Sequence, residues 1–270
     1  MVHLIGNIKG VYPMPLKIAT WNVNSLRVRL PHVLDWLATE QPDVLALQEI
    51  KMEEVNFPYQ ELLEAGYHSI ACGQKTYNGV AILTKQEITS DNAITCLYQE
   101  DEQRRLLAVT LNDLRIINVY IPNGAHPSDA KYIYKLHWLE QFHLFLNEQL
   151  KTHSNIIVLG DFNIAPTDND VHDPQGWEGQ VLVSEPERAA FNALLNLGFK
   201  DGFRLFTPEE KVYSWWDYRA AAFRRNMGLR IDHILISDAL VPRCVSSHID
   251  KAPRTLEKPS DHTPVVLELR

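Results

Sequence analysis

The chain has few cysteines, no long apolar run and no excess of positive charge. Its 270 residues include only Cys72, Cys96 and Cys244, an odd number without Cys-x-x-Cys spacing. This argues against a disulfide framework and against a zinc site, and it favours a reducing compartment. No apolar run reaches the roughly 18 residues that a membrane-spanning helix needs. We therefore expect a soluble, cytoplasmic protein.

The first segment, Met1–Pro15, also lacks the features of a secretory signal. It has no long apolar core and no small-residue cleavage site, and its one lysine, Lys9, follows the apolar residues. We expect a disordered extension, or a start assigned too early with Met14 as the true initiator. Residues 16–270 contain no linker and no long block of charge, which predicts a single domain.

The net charge of −8 opposes nucleic-acid binding, because proteins that neutralise phosphates usually carry a basic surface. Basic residues are nevertheless concentrated late in the chain. Four arginines lie between Arg219 and Arg230, close to Trp215, Trp216 and Phe223. Such a run is usually a solvated face, and contact with DNA is the alternative.

Short runs rich in Val, Ile and Leu recur along the chain and alternate with helical patterns. The predicted strands are Leu16–Trp21, Val44–Leu47, Gly79–Leu83, Leu106–Leu111, Ile116–Tyr120, Ile156–Leu159, Ile234–Ile236 and Val265–Leu269. Three helices are predicted. The first begins near Asp129, the second begins at a capping box of Ser184 and Glu187 and stops at Gly198, and the third covers Val33–Leu37. This alternation predicts an α/β protein whose sheets are covered by helices.

Five polar clusters adjoin these apolar runs. They are Asn22–Asn24, Gln48–Glu49, Gly160–Asn163, Arg230–His233 and Asp261–His262. A hard divalent cation needs oxygen ligands, and an imidazole held by a carboxylate is a natural acid or base. The clusters therefore predict a metal-assisted phosphodiester hydrolase with one cleft between two sheets, to which both halves of the chain contribute.

The first three clusters also have purely structural interpretations. Glu49 follows a buried apolar run and is alternatively a cap or turn residue. Asn22 is alternatively a turn former, because its side chain readily bonds nearby backbone. Asp161 and Asn163 face the same side if the strand continues past Gly160, and an Asx turn is the competing explanation.

The last two clusters suggest that a carboxylate of one pairs with an imidazole of the other. Asp232 lies in an apolar frame, where a lone carboxylate is costly to bury, so it needs a partner. His262 is the best candidate and Arg230, in a structural ion pair, is the rival. A solvated loop position is the alternative for His262. Strand alternation turns His233 away from Asp232.

The ordered motifs resemble those of exonuclease III and related apurinic/apyrimidinic endonucleases of the endonuclease/exonuclease/phosphatase superfamily, from about Leu16 to Arg270. The motifs that carry the resemblance are Trp21–Arg27, Leu47–Glu49, Asn118–Gly124, Gly160–Pro166, Ser214–Arg219, Gly228–Asp232 and Pro259–His262. This resemblance implies a four-layer α/β sandwich, with two packed mixed β-sheets flanked by helices. It also implies a bacterial-type, nucleoid-associated, monomeric enzyme that uses Mg²⁺ or Mn²⁺.

The implied activity is that of an exodeoxyribonuclease III: 3′–5′ exonuclease, 3′-end processing and incision 5′ to abasic sites. The implied substrate is double-stranded DNA with abasic sites, nicks or blocked 3′ ends. Two features depart from the pattern. Gly124–Pro127 stands where some relatives insert an arginine into DNA, and the variable segment Asp168–Val183 either admits or blocks an abasic sugar. The alternatives are a 3′-phosphatase/exonuclease without abasic endonuclease activity, a superfamily phosphatase acting on another substrate, and a noncatalytic DNA-binding module.

The resemblance also assigns the site residues. The implied catalytic residues are Tyr120, Asp161, Asn163, Asp232 and His262; the implied metal residues are Asn22, Glu49, Asp161, Asn163 and Asp261; the implied substrate-binding residues are Asn123, Trp215, Arg219, Leu229 and Ile231. Of the last group, Trp215, Leu229 and Ile231 correspond to an apolar pocket for a flipped abasic sugar. Whether Asp161 or His262 is the base stays open.

Overall fold

A computed structural model describes residues 15–270, so the predicted N-terminal extension, apart from Pro15, lies outside the described residues. The strands within that range are β1 Leu16–Asn22, β2 Val44–Gln48, β3 His68–Cys72, β4 Val80–Thr84, β5 Leu106–Leu111, β6 Leu114–Tyr120, β7 Asn155–Asp161, β8 Phe199–Asp201, β9 Asp232–Ser237, β10 Cys244–Ile249 and β11 Val265–Leu269. The α-helices are α1 Leu26–Glu40, α2 Tyr59–Glu64, α3 Ala130–Thr152, α4 Pro174–Trp177 and α5 Glu185–Asn196. None of these helices is both long and apolar enough to cross a bilayer.

The strands form two mixed sheets. One has six strands in the order β10-β11-β1-β2-β4-β3, and the other has five in the order β5-β6-β7-β9-β8. Each sheet contains one parallel pair, β1 with β2 and β6 with β7, and its other pairs are antiparallel. Parallel pairing brings the carboxyl ends of these strands to one edge, where the polar clusters lie.

Three apolar clusters hold four layers together. Between the sheets, Ile18 and Ile157 belong to one shared cluster. Leu37 of α1 packs in the cluster on the other face of the six-stranded sheet, and Phe142 of α3 packs in the cluster on the other face of the five-stranded sheet. All these side chains are buried, so apolar burial is the main force that joins the layers. The predicted four-layer α/β sandwich is confirmed.

All eight predicted strands are present, most of them longer or shifted by one or two residues. The sequence pattern missed β3, β8 and β10. Each of these is an edge strand, and each has side chains that are partly or fully exposed. An edge strand buries less of its surface, so its apolar signal is weaker.

A helix is present at all three predicted places. Asp129 caps α3 by accepting a hydrogen bond from the backbone N–H of Lys131 at 2.8 Å. Ser184 and Glu187 form the predicted capping box of α5. The predicted range Val33–Leu37 was too short for helix α1. Many side chains in the rest of this helix are exposed, so the sequence there carries no apolar signal.

A buried amide pair joins the two sheets directly beneath the polar edge. Gln48 Nε2 donates to Asn118 Oδ1 at 2.8 Å, and Asn118 Nδ2 donates to the backbone oxygens of Leu47 and Ala81 at 2.9 and 2.8 Å. Both amide side chains are fully buried. Glu49 follows the first of them, so this bridge sets where that carboxylate meets the other sheet.

Candidate active site

The polar clusters converge at the edge where the parallel strands end. Asn22 ends β1, Glu49 follows β2, and Asp161 ends β7. Across β7 and β9, Asp161 pairs in register with Asp232, which begins β9. The remaining predicted residues of this edge are Tyr120, the last residue of β6, and Asp261 and His262 in the loop before β11.

Asn22 links the two carboxylates from the two sheets. Its Nδ2 donates to Glu49 Oε1 at 2.8 Å and to Asp161 Oδ2 at 2.9 Å. Its Oδ1 accepts the N–H of Asn24 at 2.9 Å, so the turn interpretation also describes this residue. In this orientation the amide nitrogen faces the carboxylates, and Asn22 positions them.

Asp232 pairs with His262 and not with Arg230. His262 Nδ1 lies 2.8 and 3.1 Å from the two Asp232 oxygens, and both side chains are buried. Ser214 Oγ donates to Asp232 Oδ2 at 2.6 Å. Arg230 instead contacts Asp170 and Asp201. A carboxylate at Nδ1 leaves Nε2 free to face the site, 3.7 Å from Asp161 Oδ2.

The local charges set the protonation of this group. Burial acts to lower the pKa of His262, but the charges of Asp232 and Asp161 outweigh it and raise the pKa to about 10. Burial raises the pKa of Asp161 to about 7, in spite of the opposing charge of His262. His262 is therefore an imidazolium that can donate to a phosphate oxygen, while Asp161 can exchange a proton near neutral pH.

Asn163 reaches Asp161 through a turn, so the predicted extended continuation of the strand was wrong. Asn163 has a left-handed φ of 50°, and its N–H donates to Asp161 Oδ1 at 2.9 Å. Its Nδ2 donates to the Ile121 oxygen at 3.0 Å, and its Oδ1 accepts Asn123 Nδ2 at 3.0 Å. The Asx-turn alternative is correct, and it still brings both side chains to one place.

Gly160 lies within β7, whereas the sequence predicted that it ends the strand. Its φ is +146°, and a Cβ built there would lie 1.9 Å from the backbone oxygen of Val119. A side chain is therefore excluded by the neighbouring strand β6. The glycine allows β7 to continue to Asp161 in close contact with β6.

Comparisons with known proteins identify the family of this chain. The endonuclease/exonuclease/phosphatase family matches residues 19–262. This chain belongs to that family. It is 37% identical to exodeoxyribonuclease III of Haemophilus influenzae over 94% of this chain and 100% of the relative. It is also similar to two solved structures. One is the 3′ phosphatase NExo from Neisseria bound to a product DNA hairpin, with 43% identity, a TM-score of 0.92 and coverage of 94% of this chain and 99% of that chain. The other is an AP endonuclease from Archaeoglobus fulgidus, with 39% identity, a TM-score of 0.90 and the same coverage.

Among the acidic residues of this family member, Glu49 and Asp161 form a compact group with His262. One ligand atom of each lies within 4.8 Å of the others. Asp261, predicted as a further metal residue, accepts hydrogen bonds from Asn24 Nδ2 and Trp215 Nε1, both at 3.0 Å. Its carboxylate lies beside this group and orients the tryptophan.

Tyr120 lies next to the carboxylates and is held in its neutral form. Burial, followed by the charge of Glu49, raises its pKa well above the usual value. The guanidinium of Arg105 lies 4.7 Å from the centre of its ring. The phenol therefore remains an O–H donor throughout the pH range of enzyme assays.

Apart from Asn123, which contacts Asn163, the predicted substrate-binding residues separate into two environments. Leu229 and Ile231 are fully buried in an apolar cluster, against which the half-buried Trp215 packs. Beside this cluster lies a cavity of about 480 Å³, lined by Trp177 among others. Arg219 is exposed and its guanidinium pairs with Asp217, so it lies on the surface outside the compact group.

Sequence reasoning missed three side chains that support the site. Gln48 was noticed only as the neighbour of Glu49, and Ser214 only as part of a motif. Lys135 was not considered, although it lies at helical spacing from Trp138 and Phe142 and is buried with them. A lysine in the apolar stripe of a helix is the signal that identifies it.

Proposed function

We propose that this protein hydrolyses DNA phosphodiesters, with 3′–5′ exonuclease and 3′-end processing as its main activities and incision 5′ to abasic sites as a further one. The chain is a phosphodiester-hydrolysing nuclease of DNA repair. One observation carries the finer proposal. The buried Asp232–His262 pair faces Asp161, which is joined through Asn22 to Glu49.

We assign the proton acceptor to Asp161. His262 has a raised pKa and is already protonated, whereas the pKa of Asp161 is about 7. Water attacks phosphorus, its proton passes to Asp161, the bond from phosphorus to the 3′-oxygen breaks, and the departing 3′-oxygen takes a proton from solvent water to become the 3′-hydroxyl. His262, as imidazolium, donates a hydrogen bond to the charge that develops on the phosphate oxygens. The amide of Asn163 does the same by exchanging its 3.3 Å contact with Asp161 Oδ2 for a phosphate oxygen.

Mg²⁺ or Mn²⁺ fits the donors at this edge. Glu49 and Asp161 would hold the cation, because carboxylate oxygens suit hard cations and the two residues have ligand atoms within 4.8 Å. When bound, it supplies positive charge that stabilises the phosphate oxygens. Asn22 keeps the two carboxylates together, and Lys51, 2.9 Å from Glu49, offsets part of their mutual repulsion.

The substrate is duplex DNA with blocked 3′ ends, nicks or abasic sites. The similar proteins include an exodeoxyribonuclease, a 3′ phosphatase and an AP endonuclease. Leu229 and Ile231 are already packed and fully buried, so an abasic sugar must displace part of this cluster to enter it. This observation favours 3′-end processing as the principal activity. We expect the enzyme to act as a cytoplasmic monomer.

Product analysis on paired substrates tests the proposal. Three duplexes would be incubated with Mg²⁺: one with a 3′-phosphate at a nick, one with a recessed 3′-hydroxyl and one with an internal abasic site. We expect fast removal of the phosphate, stepwise shortening of the recessed end and slower incision at the abasic site. Asp161→Asn is the control, since it retains the shape of the side chain and removes the base.

The two enzymatic alternatives have their own readouts. A phosphatase of another substrate class would hydrolyse inositol phosphates or sphingomyelin faster than nicked DNA. A 3′-phosphatase/exonuclease without endonuclease activity would leave the abasic duplex intact. If folded protein turned over none of the three duplexes, the proposed function would be wrong.

A further inference from the structure

A buried lysine contacts two loops of the site. Lys135 of α3 is fully buried, and its Nζ donates to the backbone oxygen of Asn163 at 2.6 Å and to that of Asn123 at 3.2 Å. Its third partner is the carboxylate of Glu187, which is equally buried. An ammonium group has three N–H donors, so all of them are used.

We propose that Lys135, held by Glu187, is a positioning residue that sets Asn123 and Asn163 against the scissile phosphate. This inference rests on the proposed function. The two amides bond each other directly, because Asn123 Nδ2 donates to Asn163 Oδ1 at 3.0 Å. With both backbone oxygens on one ammonium, the two loops have little freedom to separate, and the amide pair keeps its direction.

The conformation of Asn163 explains why such an anchor is needed. Its φ of 50° is left-handed, a region that costs energy for a residue with a side chain. In this conformation its backbone oxygen points into the protein onto Lys135, while its Nδ2 points to the Ile121 oxygen and to Asp161 Oδ2 at 3.0 and 3.3 Å. The lysine therefore stabilises the turn from its buried side.

Glu187 extends the same network to the segment beside the site. It accepts the N–H groups of Leu182 at 3.0 Å and Ser184 at 3.1 Å. Leu182 in turn accepts the N–H of Ala165 through its backbone oxygen at 2.7 Å. The ion pair thus joins the two amide loops to the end of Asp168–Val183, the segment that lines the cavity with Trp177.

Structural packing alone does not account for this arrangement. A buried ion pair is often replaceable by apolar or neutral groups without loss of stability. The feature specific to this pair is that the two remaining N–H donors reach backbone oxygens of the two site asparagines. A neutral side chain of similar length fills the same space but holds neither oxygen.

The test replaces both charges together, because removing one leaves the other buried and unpaired. Lys135→Met with Glu187→Gln retains the volume and a capping side chain at the start of α5. Lys17→Met with Glu40→Gln is the matched control, since that pair lies at the far end of β1 from Asn22. We expect the first double variant to lower kcat about 10- to 100-fold on a 3′-phosphate duplex, with KM and the Mg²⁺ dependence little changed. The control should leave kcat unchanged.

The same replacement in Asn163→Ala protein distinguishes a positioning role of Lys135 from a general structural role. If Lys135 acts through Asn163, the double replacement should lower kcat by less than about 3-fold in Asn163→Ala protein. An equal loss in both backgrounds, or full kcat in the folded double variant, would overturn the proposal. If the double variant does not fold, the same double-mutant cycle can be measured with Glu187→Gln alone, in the presence and absence of Asn163→Ala. The expected loss of kcat is then smaller, and an equal loss in both backgrounds would again overturn the proposal.

One readout does not depend on activity. The side-chain amide resonances of Asn123 and Asn163, measured by ¹⁵N NMR, should shift and broaden in the Lys135 and Glu187 double variant and stay in place in the control. If wild-type protein proves inactive on DNA but these resonances respond, the proposed function fails and the positioning stands. If wild-type protein is active and the resonances do not respond, the positioning fails alone.

Discussion

Two buried histidines, His262 and His233, differ in whether the ring is protonated, although one contacts Asp232 and the other follows it in the chain. His262 contacts Asp232 through Nδ1 and lies 3.7 Å from Asp161, and its pKa is raised to about 10. His233 follows Asp232 directly in β9, yet burial and the charge of Arg230 lower its pKa to about 4. Both rings are buried, so burial alone does not explain the difference.

The difference lies in the sign of the nearest charge. His233 Nε2 donates to the backbone oxygen of Ile164 at 2.8 Å, and its Nδ1 accepts from Arg230 at 3.0 Å, which leaves the ring neutral. Among residues 15–270, the charged groups that contact His262 are the two carboxylates of Asp161 and Asp232. Strand alternation decides which environment each meets, because adjacent residues of β9 face opposite sides of the sheet. His262 is therefore suited to donate a hydrogen bond or a proton in catalysis, whereas His233 supports the structure.

Replacement of His262 is expected to have the largest effect. His262→Asn removes the imidazolium that stabilises the transition state, so kcat should fall by a factor on the order of 10² to 10⁴. His233→Gln is the matched variant, and its kcat should stay within about 3-fold of wild type because this ring does not face the site. Single-turnover kinetics on a 3′-phosphate duplex measures both. Similar losses in the two variants would remove the distinction between a chemical and a structural histidine.

Replacement of Glu49 should lower the rate in a different way, through weaker binding of the metal. Glu49→Ala removes a cation ligand, so the Mg²⁺ concentration needed for half-maximal rate should rise roughly 10- to 100-fold. Added metal should then restore part of the rate. His262→Asn should keep nearly the wild-type metal dependence. Titration of rate against Mg²⁺ compares the two variants, and rescue of His262→Asn by excess metal would make His262 part of the metal site.

The pH dependence of stability should have opposite signs for the two histidines. The folded pKa of His233 lies below the unfolded value of about 6.5, so its contribution is complete above pH 6.5 and is lost as the pH falls toward 4. The folded pKa of His262 lies above that value, so its contribution is complete below pH 6.5 and is lost as the pH rises toward 10.

Urea unfolding in metal-free buffer checks these signs. The difference in free energy of unfolding between wild type and His233→Gln should decrease below pH 6.5, by on the order of 3 kcal/mol at most. The difference between wild type and His262→Asn should decrease above pH 6.5. A difference independent of pH for either variant would contradict the protonation assigned to that ring.

The smallest effect concerns the charges around His233. Arg204 contacts Asp170 from outside, while Arg230 contacts both Asp170 and His233. Arg204→Gln should lower stability by about 1 kcal/mol, because Asp170 keeps its buried partner. The NMR titration of His233 should stay unchanged in this variant. A raised His233 pKa would mean that the whole network, and not Arg230, keeps the ring neutral.

Much of the fold was predictable because its signals are local. Apolar runs marked the eight strands with a substantial buried face, and capping residues marked the starts of α3 and α5. The edge strands β3, β8 and β10 gave no such signal, because half-exposed strands lack a continuous apolar pattern. Gly160 was predicted to end β7. In the structure it lies within β7, and glycine is needed there because Val119 on the neighbouring strand leaves no room for a side chain.

The candidate site was predictable as a set of residue types and only partly as a set of contacts. The sequence by itself determined that Asp161, Asn163, Asp232 and His262 lie at the ends of apolar runs, and that a buried Asp232 needs a partner. Only the tertiary structure decided that His262 is that partner, although 30 residues separate them, and that Arg230 pairs elsewhere. The physical reason is that proton affinity and side-chain orientation depend on charges within a few ångströms, and here strands distant in the chain supply those charges.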